Sequence, residues 1–305
     1  MKTKYWIQAA RLRTLPLALS CILMGAGLAK LCAFEITLST FSLAIITTLL
    51  LQVLSNYAND YGDGIKGTDK LRENQDRMVQ SGKISKKSMK NAIVILSICT
   101  FISGLSLLYF SLDFDKIKII LFFLILGISA IIAAIKYTVG NSAYGYIGLG
   151  DFFVFIFFGV IGVSGSFYLF THTIHAVVLP GIFFTGFLSC AVLNLNNMRD
   201  VDSDTQHGKR TLVVMLGLKG AKIYHYILLL LSLASFLVII MLSNNNLFFI
   251  STIPLILVLI NLKNVIVNRN VNELDGELKK IAFSCFLSCL TFYVLTQLLV
   301  DSLAI

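Results

Sequence analysis

The chain has 305 residues, of which 57% are hydrophobic and only 13% are charged; 25 basic residues against 16 acidic ones give a formal net charge of +9. Soluble domains carry about 25% charged residues, and a single soluble core could not bury so much apolar surface. This composition excludes soluble, secreted, fibrous and disordered classes of protein. It predicts a polytopic membrane protein.

Segments without Asp, Glu, Lys or Arg predict where the chain crosses the membrane. The longest are residues 14–29, 36–59, 91–112, 119–135, 152–198, 223–262 and 281–300. A spanning helix needs about 20 apolar residues to cross a hydrocarbon core of about 30 Å. Two of the segments are twice that long, and each has a polar interruption, at residues 171–175 and 243–246, where a turn is expected. We therefore predict nine transmembrane helices in one all-α domain covering residues 1–305.

The basic residues predict how these helices are oriented. When alternate loops are assigned to one side of the membrane, 22 of the 25 Lys and Arg residues lie on the side of the N-terminus, and only Lys30, Lys116 and Lys118 lie on the other. The positive-inside rule then predicts a cytoplasmic N-terminus and, with nine spans, an external C-terminus. The net positive charge is explained by topology, so no nucleic-acid partner is expected.

Two clusters of carboxylate and amide side chains follow the second and the sixth predicted helix, both at the cytoplasmic side. Their members are Asn56, Asn59, Asp60 and Asp63 in the first cluster and Asn196, Asp200 and Asp204 in the second. If the helices continue through the clusters, spacings of four residues bring like charges together, and these repel each other. Mg²⁺ bound with a substrate phosphate would relieve this repulsion, because it prefers oxygen ligands of this kind. Solvated helix caps would explain one such cluster, but hardly two with matching Asn and Asp spacing.

Other polar residues carry weaker signals. His225, near the start of the seventh predicted helix, is expected at the surface or the membrane interface. The six cysteines lie in or beside apolar segments and are expected to pack as small hydrophobic side chains, without disulfides or a metal site.

The two clusters resemble the paired acidic motifs of the UbiA superfamily of intramembrane prenyltransferases. They read Asn59-Asp60-Tyr61-Gly62-Asp63 and Asp200-Val201-Asp202-Ser203-Asp204. Residues 54–69, 137–151 and 196–212 extend the resemblance, as do residues 11–16, where Leu12 replaces the usual Pro. The resemblance spans nearly the whole chain and is greatest to the branch that acts on 1,4-dihydroxy-2-naphthoate.

This resemblance implies a helical bundle around a lipid-accessible cavity in the inner membrane of a bacterium. It implies transfer of a polyprenyl group from polyprenyl diphosphate to 1,4-dihydroxy-2-naphthoate, with loss of carbon dioxide and diphosphate, in menaquinone biosynthesis. Mg²⁺ is the expected cofactor, and it would stabilise the departing diphosphate. The expected partners are therefore the two substrates and the lipid bilayer.

The resemblance also implies roles for individual side chains. The side chains expected to hold Mg²⁺ and diphosphate are Asn59, Asp60, Asp63, Asn196, Asp200 and Asp204, and the four carboxylates among them are expected to be catalytic. Further substrate contacts are expected from Asn56, from the basic residues Lys136, Arg199, Lys209 and Arg210 toward diphosphate, and from Arg11, Arg13 and Tyr137 toward the aromatic acceptor or the allylic cation.

Three other functions deserve comparison with this one. A prenyltransferase for another aromatic acid, such as 4-hydroxybenzoate, would share the acidic motifs. A CDP-alcohol phosphotransferase would need a DGxxAR pattern, but Asp63-Gly64 continues as Ile65-Lys66-Gly67. A secondary transporter would place ionisable groups near the bilayer midplane, whereas here the acidic clusters lie at helix ends.

Overall fold

The computed structural model describes residues 2–66, 77–140, 143–268 and 270–303, and these residues are arranged as a bundle of helices. Among them are nine helices long and apolar enough to cross a membrane, which confirms the predicted number. In chain order they are α1 (Thr3–Leu31), α2 (Leu38–Ile65), α3 (Lys86–Ser111), α4 (Ile117–Lys136), α5 (Gly150–Thr171), α6 (Val178–Arg199), α7 (Leu212–Leu242), α8 (Asn246–Val267) and α9 (Asp275–Leu299). Residues 67–69 and 141–142 of the segments that carry the resemblance lie outside the described residues.

The two polar interruptions separate helices, as predicted. α5 ends before His172, which adopts a left-handed conformation (φ 57°), and Asn244 does the same between α7 and α8 (φ 55°). The side chain of Asn245 then accepts a hydrogen bond from the backbone N–H of Leu247 at 2.9 Å, which caps the start of α8. Asn tolerates left-handed geometry and caps helices well, so the turn follows from local side-chain chemistry.

α1 contains a break that turns two arginines toward the bundle interior. Arg11 has left-handed backbone angles (φ 49°, ψ 60°) between the helix Lys2–Ala10 and a 3-10 turn at Leu12–Thr14. The side-chain amide of Asn56 donates to the carbonyl of Ala10 at 2.8 Å and to the hydroxyl of Thr14 at 3.0 Å. Asn56 thus gives the Ala10 carbonyl, at the end of the first helical piece, a hydrogen-bond partner, and it connects this carbonyl to Thr14 on the other side of the break.

The first acidic cluster lies on one continuous helix, whereas the second spans a bend between two helices. α2 continues through the first cluster, so Asn59 and Asp63 lie one turn apart on the same helix. α6 ends at Arg199, and a short helix Val201–Gln206 follows after a bend at Asp200 (φ −97°, ψ 6°). The N–H of Asp200 still donates to the carbonyl of Asn196 at 3.1 Å, and that of Asp204 to Asp200 at 2.8 Å. The spacing of four residues therefore survives the bend.

The bundle is built around α1, α6 and α9, while α4 is the least covered helix. Glycines allow the central helices to approach closely: a Cβ at Gly27 of α1 would come within 2.7 Å of the Phe292 ring on α9. Small residues serve this purpose in membrane bundles, where packing rather than water exclusion holds helices together. The sparse cover of α4 leaves it as a wall between the bundle interior and lipid.

The expectation for His225 was wrong, because α8 and α9 cover α7 at this position. His225 is fully buried, and its Nε2 lies 2.8 Å from Oδ1 of Asn261. The amide of Asn261 in turn donates to Glu277 Oε2 at 3.1 Å. A polar side chain in an apolar interior needs partners of this kind, and these partners come from helices distant in sequence.

Candidate active site

A cavity of about 440 Å³ extends from the two acidic clusters into the apolar interior of the bundle. Its polar end is lined by Asn59, Asp63, Asn196, Asp200 and Lys209, and its other end by hydrophobic side chains of α3, α4 and α5. Such a shape, charged at one end and apolar along the rest, suits a ligand with an ionic head and a hydrocarbon tail.

Within the first cluster, Asp63 faces this cavity and is surrounded by positive charge. Its Oδ2 lies 2.6 Å from Nη2 of Arg77, and its Oδ1 accepts a hydrogen bond from the Tyr146 hydroxyl at 3.0 Å. Lys209 and Arg11 are close enough to interact with it electrostatically. Because Asp63 is buried, these partners offset the cost of removing its charge from water.

The Asn59 side chain is held in place by a residue of the loop that follows α4. The hydroxyl of Thr138 donates to Oδ1 of Asn59 at 3.2 Å and to the carbonyl of Ala58 at 3.0 Å. At Gly62 an added Cβ would lie 2.7 Å from the Thr138 hydroxyl. Glycine at this position therefore lets the loop approach α2 and hold the amide beside the cavity.

Asp60 points away from the cavity. Its carboxylate oxygens accept hydrogen bonds from the backbone N–H groups of Met78 and Val79, each at 3.0 Å, and the residue is 1% exposed. Of the two carboxylates in the first cluster, only Asp63 therefore faces the cavity.

The second cluster is held together by Arg199. Its guanidinium donates to Asp200 at 2.9 and 3.0 Å and to Oδ1 of Asn196 at 2.8 Å. Arg199 also pairs with Asp275 at the start of α9, and Arg13 of α1 reaches the same carboxylate at 3.0 Å. The planar, multidentate guanidinium suits this position because it can serve several oxygens at fixed geometry.

Asp204 and Lys209 form an ion pair beside the second cluster. Nζ of Lys209 lies 3.3 Å from Oδ1 of Asp204 and 5.8 Å from the centre of the Tyr146 ring. Asp204 is buried but does not line the cavity, whereas Lys209 does. Lys209 thus lies between the two acidic clusters.

The remaining predicted residues have three kinds of position. Asn56, Arg11, Arg13 and Tyr137 line the cavity, while Arg199 lies behind Asp200. Lys136 and Arg210 are exposed and do not line it. The structure therefore brings most of the predicted residues to one end of the cavity. Five of them do not line it: Asp60, Asp204, Arg199, Lys136 and Arg210.

Tyr137, directly after α4, presents a neutral phenol to the cavity. Burial in the protein raises the pKa of the Tyr137 phenol, and the negative charge of Asp151 raises it further. A phenol with a raised pKa keeps its proton at physiological pH. Its ring and hydroxyl dipole are therefore available to the ligand without an added negative charge.

Four residues around the site were missed by the sequence-based prediction: Arg77, Thr138, Tyr146 and Asp275. Arg77 belongs to a loop whose basic residues were interpreted only as a topological signal, and Tyr146 and Thr138 lie within a segment that was used only for resemblance. Asp275 stands 76 positions from its partner Arg199, and no pattern near it indicated a role.

The oxygen donors at the cavity fit a magnesium–diphosphate complex better than a bare metal ion. In the described part of the chain, no group of three or more His, Cys, Asp or Glu side chains converges to hold a metal. The cavity instead offers two carboxylates, Asp63 and Asp200, with the amide oxygens of Asn59 and Asn196. Mg²⁺ usually takes one or two carboxylates and completes its shell with water and phosphate oxygens.

Comparison with known proteins gives consistent matches in sequence. Residues 18–290 match the model of the UbiA prenyltransferase family. A 1,4-dihydroxy-2-naphthoate octaprenyltransferase of Escherichia coli is 47% identical over 234 residues, which cover 76% of this chain and 75% of that protein. The protein of the same name from Mycobacterium tuberculosis is 37% identical over 213 residues, 70% of each chain.

Solved structures show the same fold at low sequence identity. The apo structure of a UbiA homologue from Aeropyrum pernix has a TM-score of 0.72 and 14% identity, covering 93% of this chain and 98% of that one. A UbiA homologue from Archaeoglobus fulgidus bound to DMAPP and Mg²⁺ has a TM-score of 0.58, also at 14% identity, with 93% and 98% covered.

Proposed function

Because this chain belongs to the UbiA prenyltransferase family, we propose that it transfers a polyprenyl group from polyprenyl diphosphate to 1,4-dihydroxy-2-naphthoate in menaquinone biosynthesis. The products are carbon dioxide, diphosphate and the prenylated hydroquinone, which is the reduced form of demethylmenaquinone. The observation that carries the proposal is the cavity, which joins two carboxylate clusters to an apolar interior. The names of the bacterial relatives support the choice of acceptor.

The polar end of the cavity would receive the diphosphate. Asp63, Asp200, Asn59 and Asn196 are the side chains that would hold Mg²⁺ there. When bound, Mg²⁺ neutralises the negative charge that grows on the diphosphate as its allylic C–O bond breaks. Arg11 and Lys209, near Asp63, add positive charge on the protein side, where charge-assisted hydrogen bonds to phosphate oxygens are strong.

The rest of the cavity would protect the allylic carbocation and guide the acceptor carbon to it. A C–C bond forms at the ring carbon that carries the carboxylate, and this group leaves as carbon dioxide, so that the electron pair of the broken bond restores the aromatic ring. The apolar walls exclude water, which would otherwise capture the cation. The ring of Tyr137, facing the cavity, can stabilise positive charge by a cation–π interaction.

The acceptor is tested by a competition assay in membranes that contain the protein and one polyprenyl diphosphate. We expect decarboxylative prenylation of 1,4-dihydroxy-2-naphthoate, with turnover of 4-hydroxybenzoate at least about tenfold lower, because the second fused ring adds apolar contact area that a single ring lacks. Products are identified by mass spectrometry. Comparable turnover of both acids would reject the proposed acceptor while leaving the prenyltransferase activity intact.

The prenyl tail should pass Gly127 of α4. An added Cβ at Gly127 meets no atom within 4 Å, although the residue lines the cavity. Gly lowers helix stability by about 1 kcal/mol relative to Ala, and no close helix contact at Gly127 compensates for this. We therefore propose that its missing side chain makes room for substrate.

Gly127→Leu should fold normally but reduce kcat/KM for a long-chain donor about tenfold, which corresponds to roughly 1.4 kcal/mol of crowding. A geranyl donor should be affected less, since its shorter tail ends sooner. Ser129→Leu is the matched control, because Ser129 is exposed on the same helix and does not line the cavity. Equal losses for both donors, or equal losses in both variants, would contradict this role.

We also propose that the N-terminus is cytoplasmic and the C-terminus external, in the bacterial inner membrane. The support is the distribution of basic residues. A cytoplasm-active reporter fused after Lys87 should be active and a periplasm-active one inactive, with the reverse result at Ile305. A periplasmic signal at Lys87 would overturn the orientation.

A further inference from the structure

The turn formed by residues 77–79 provides partners for both carboxylates of the first acidic cluster, an ion pair for Asp63 and two backbone hydrogen bonds for Asp60. Nη2 of Arg77 lies 2.6 Å from Oδ2 of Asp63, and the backbone N–H groups of Met78 and Val79 donate to the two oxygens of Asp60 at 3.0 Å each. Residues 77–79, which belong to neither acidic motif, thus contact both carboxylates of the first motif.

This turn is firmly packed against α2. Met78 and Val79 are buried in a hydrophobic cluster with Leu54 and Ala58. The N–H of Ile84 closes the turn by donating to the carbonyl of Met78 at 2.9 Å. The position of the Arg77 backbone is therefore determined by the neighbouring contacts, including the two hydrogen bonds to Asp60.

Arg77 and a divalent cation would compete for the carboxylate of Asp63. Both need the carboxylate oxygens that face the cavity, and two cations sharing one buried carboxylate repel each other. A diphosphate changes this balance, because its oxygens offer the guanidinium a bidentate partner at least as good as Asp63. Arg77 also lines the cavity, so a diphosphate at the polar end would lie within its reach.

We propose that Arg77 is the counter-ion of Asp63 when no ligand is bound, and that its guanidinium moves from Asp63 to the diphosphate when metal and donor bind together. In this proposal Asp60 is not a metal ligand but a positioning residue that holds the turn of residues 77–79. The proposal rests on the proposed function, since it requires a diphosphate substrate. Its consequence is that metal alone binds weakly, whereas metal and diphosphate strengthen each other's binding by the same factor.

The test uses the full-length protein in detergent, with Mn²⁺ as the metal probe and inorganic pyrophosphate as the diphosphate probe. Free Mn²⁺ is measured by electron paramagnetic resonance. For the unsubstituted protein we expect pyrophosphate to tighten Mn²⁺ binding at least about tenfold beyond what the two bind to each other in solution. Independent binding of the two probes would overturn the proposal whatever the variants show.

Arg77→Gln should change the two affinities in opposite directions. Without pyrophosphate it should bind Mn²⁺ about tenfold more tightly, because the competing charge is gone, and at saturating Mn²⁺ it should bind pyrophosphate about tenfold more weakly. Lys87→Gln, the same loss of charge at an exposed position at the start of α3, should change neither. A fall or no change in Mn²⁺ affinity for Arg77→Gln would show that Arg77 does not compete with the metal.

Asp60→Asn distinguishes a positioning residue from a ligand. Its affinity for Mn²⁺ alone should equal or exceed that of the unsubstituted protein, since a loosened turn releases Arg77, while Asp63→Asn should lose affinity about tenfold or more. Equal losses in both would make Asp60 a ligand and reject its positioning role. These measurements involve no acceptor and no turnover, so a failure of the proposed acceptor chemistry and a failure of the counter-ion exchange would be recognised separately.

Discussion

Asp63→Asn should lower turnover by about a hundredfold or more while the protein remains folded in the membrane. The substitution keeps size and one hydrogen-bond acceptor for Tyr146 but removes the charge that faces the cavity. Two unit charges 4 Å apart interact by about 4 kcal/mol at an effective dielectric of 20, and about 2.7 kcal/mol already corresponds to a hundredfold in rate. Asp200→Asn, at the second cluster, should behave in the same way.

The measurement is the initial rate with saturating donor and acceptor at several Mg²⁺ concentrations, normalised to the amount of folded protein. Asp113→Asn is the matched control, because Asp113 is a largely exposed carboxylate at the other end of the bundle, paired only with Lys116 at 3.1 Å among the contacts described for it. It should be close to neutral. If Asp63→Asn and Asp200→Asn retained near-normal rates at low millimolar Mg²⁺ while Asp113→Asn abolished activity, the active site would have been placed at the wrong end.

Arg199→Met should reduce both stability and turnover. It leaves Asp200, which is buried, without the guanidinium that contacts both of its oxygens, and it separates Asn196 from Asp275. Removing one partner of a buried ion pair costs about 3–5 kcal/mol; since Asp275 is 38% exposed in its side chain, the lower end of this range is expected. Misplacement of Asp200 should also lower turnover by about tenfold or more.

Thermal unfolding in detergent, followed together with activity, measures both effects. Arg210→Met removes the same side chain at an exposed site where only the backbone N–H makes a described hydrogen bond, to the carbonyl of Tyr146, and it should leave Tm and turnover nearly unchanged. Arg199→Lys should lie between them, because it restores charge but not the planar fork. Identical behaviour of Arg199→Met and Arg210→Met would refute the organising role of Arg199.

The location of charge also bears on the transporter alternative. Asp63 and Asp200 lie at or near the ends of α2 and α6, and the interior of the cavity beyond them is apolar. Transport of an ion would need polar groups on both sides of the midplane. The structure instead shows one charged end and one hydrocarbon-lined end, as expected for a lipid diphosphate substrate.

The number of helices, their approximate bounds and the two acidic clusters could be predicted from sequence alone. Each depends on a property carried by a single segment: apolar length against membrane thickness, turn chemistry at Asn244 and Asn245, and the spacing of carboxylates on one helix. The family motifs added the general position of the site, because Asn59, Asp63, Asn196 and Asp200 all line one cavity.

Only the tertiary structure decided which partners these side chains have. Arg77 reaches Asp63, Arg13 and Arg199 meet at Asp275, and His225 pairs with Asn261. Each pairing joins segments far apart in the chain, so it depends on how the helices pack rather than on any local pattern. The same holds for Asp60 and Asp63, which are three residues apart on one helix and look equivalent in the motif. On a helix of 3.6 residues per turn, side chains three positions apart are neighbours separated by only about 60°, so helix geometry alone does not distinguish them. Only the packing of residues 77–79 reveals that one carboxylate anchors a turn while the other faces the cavity.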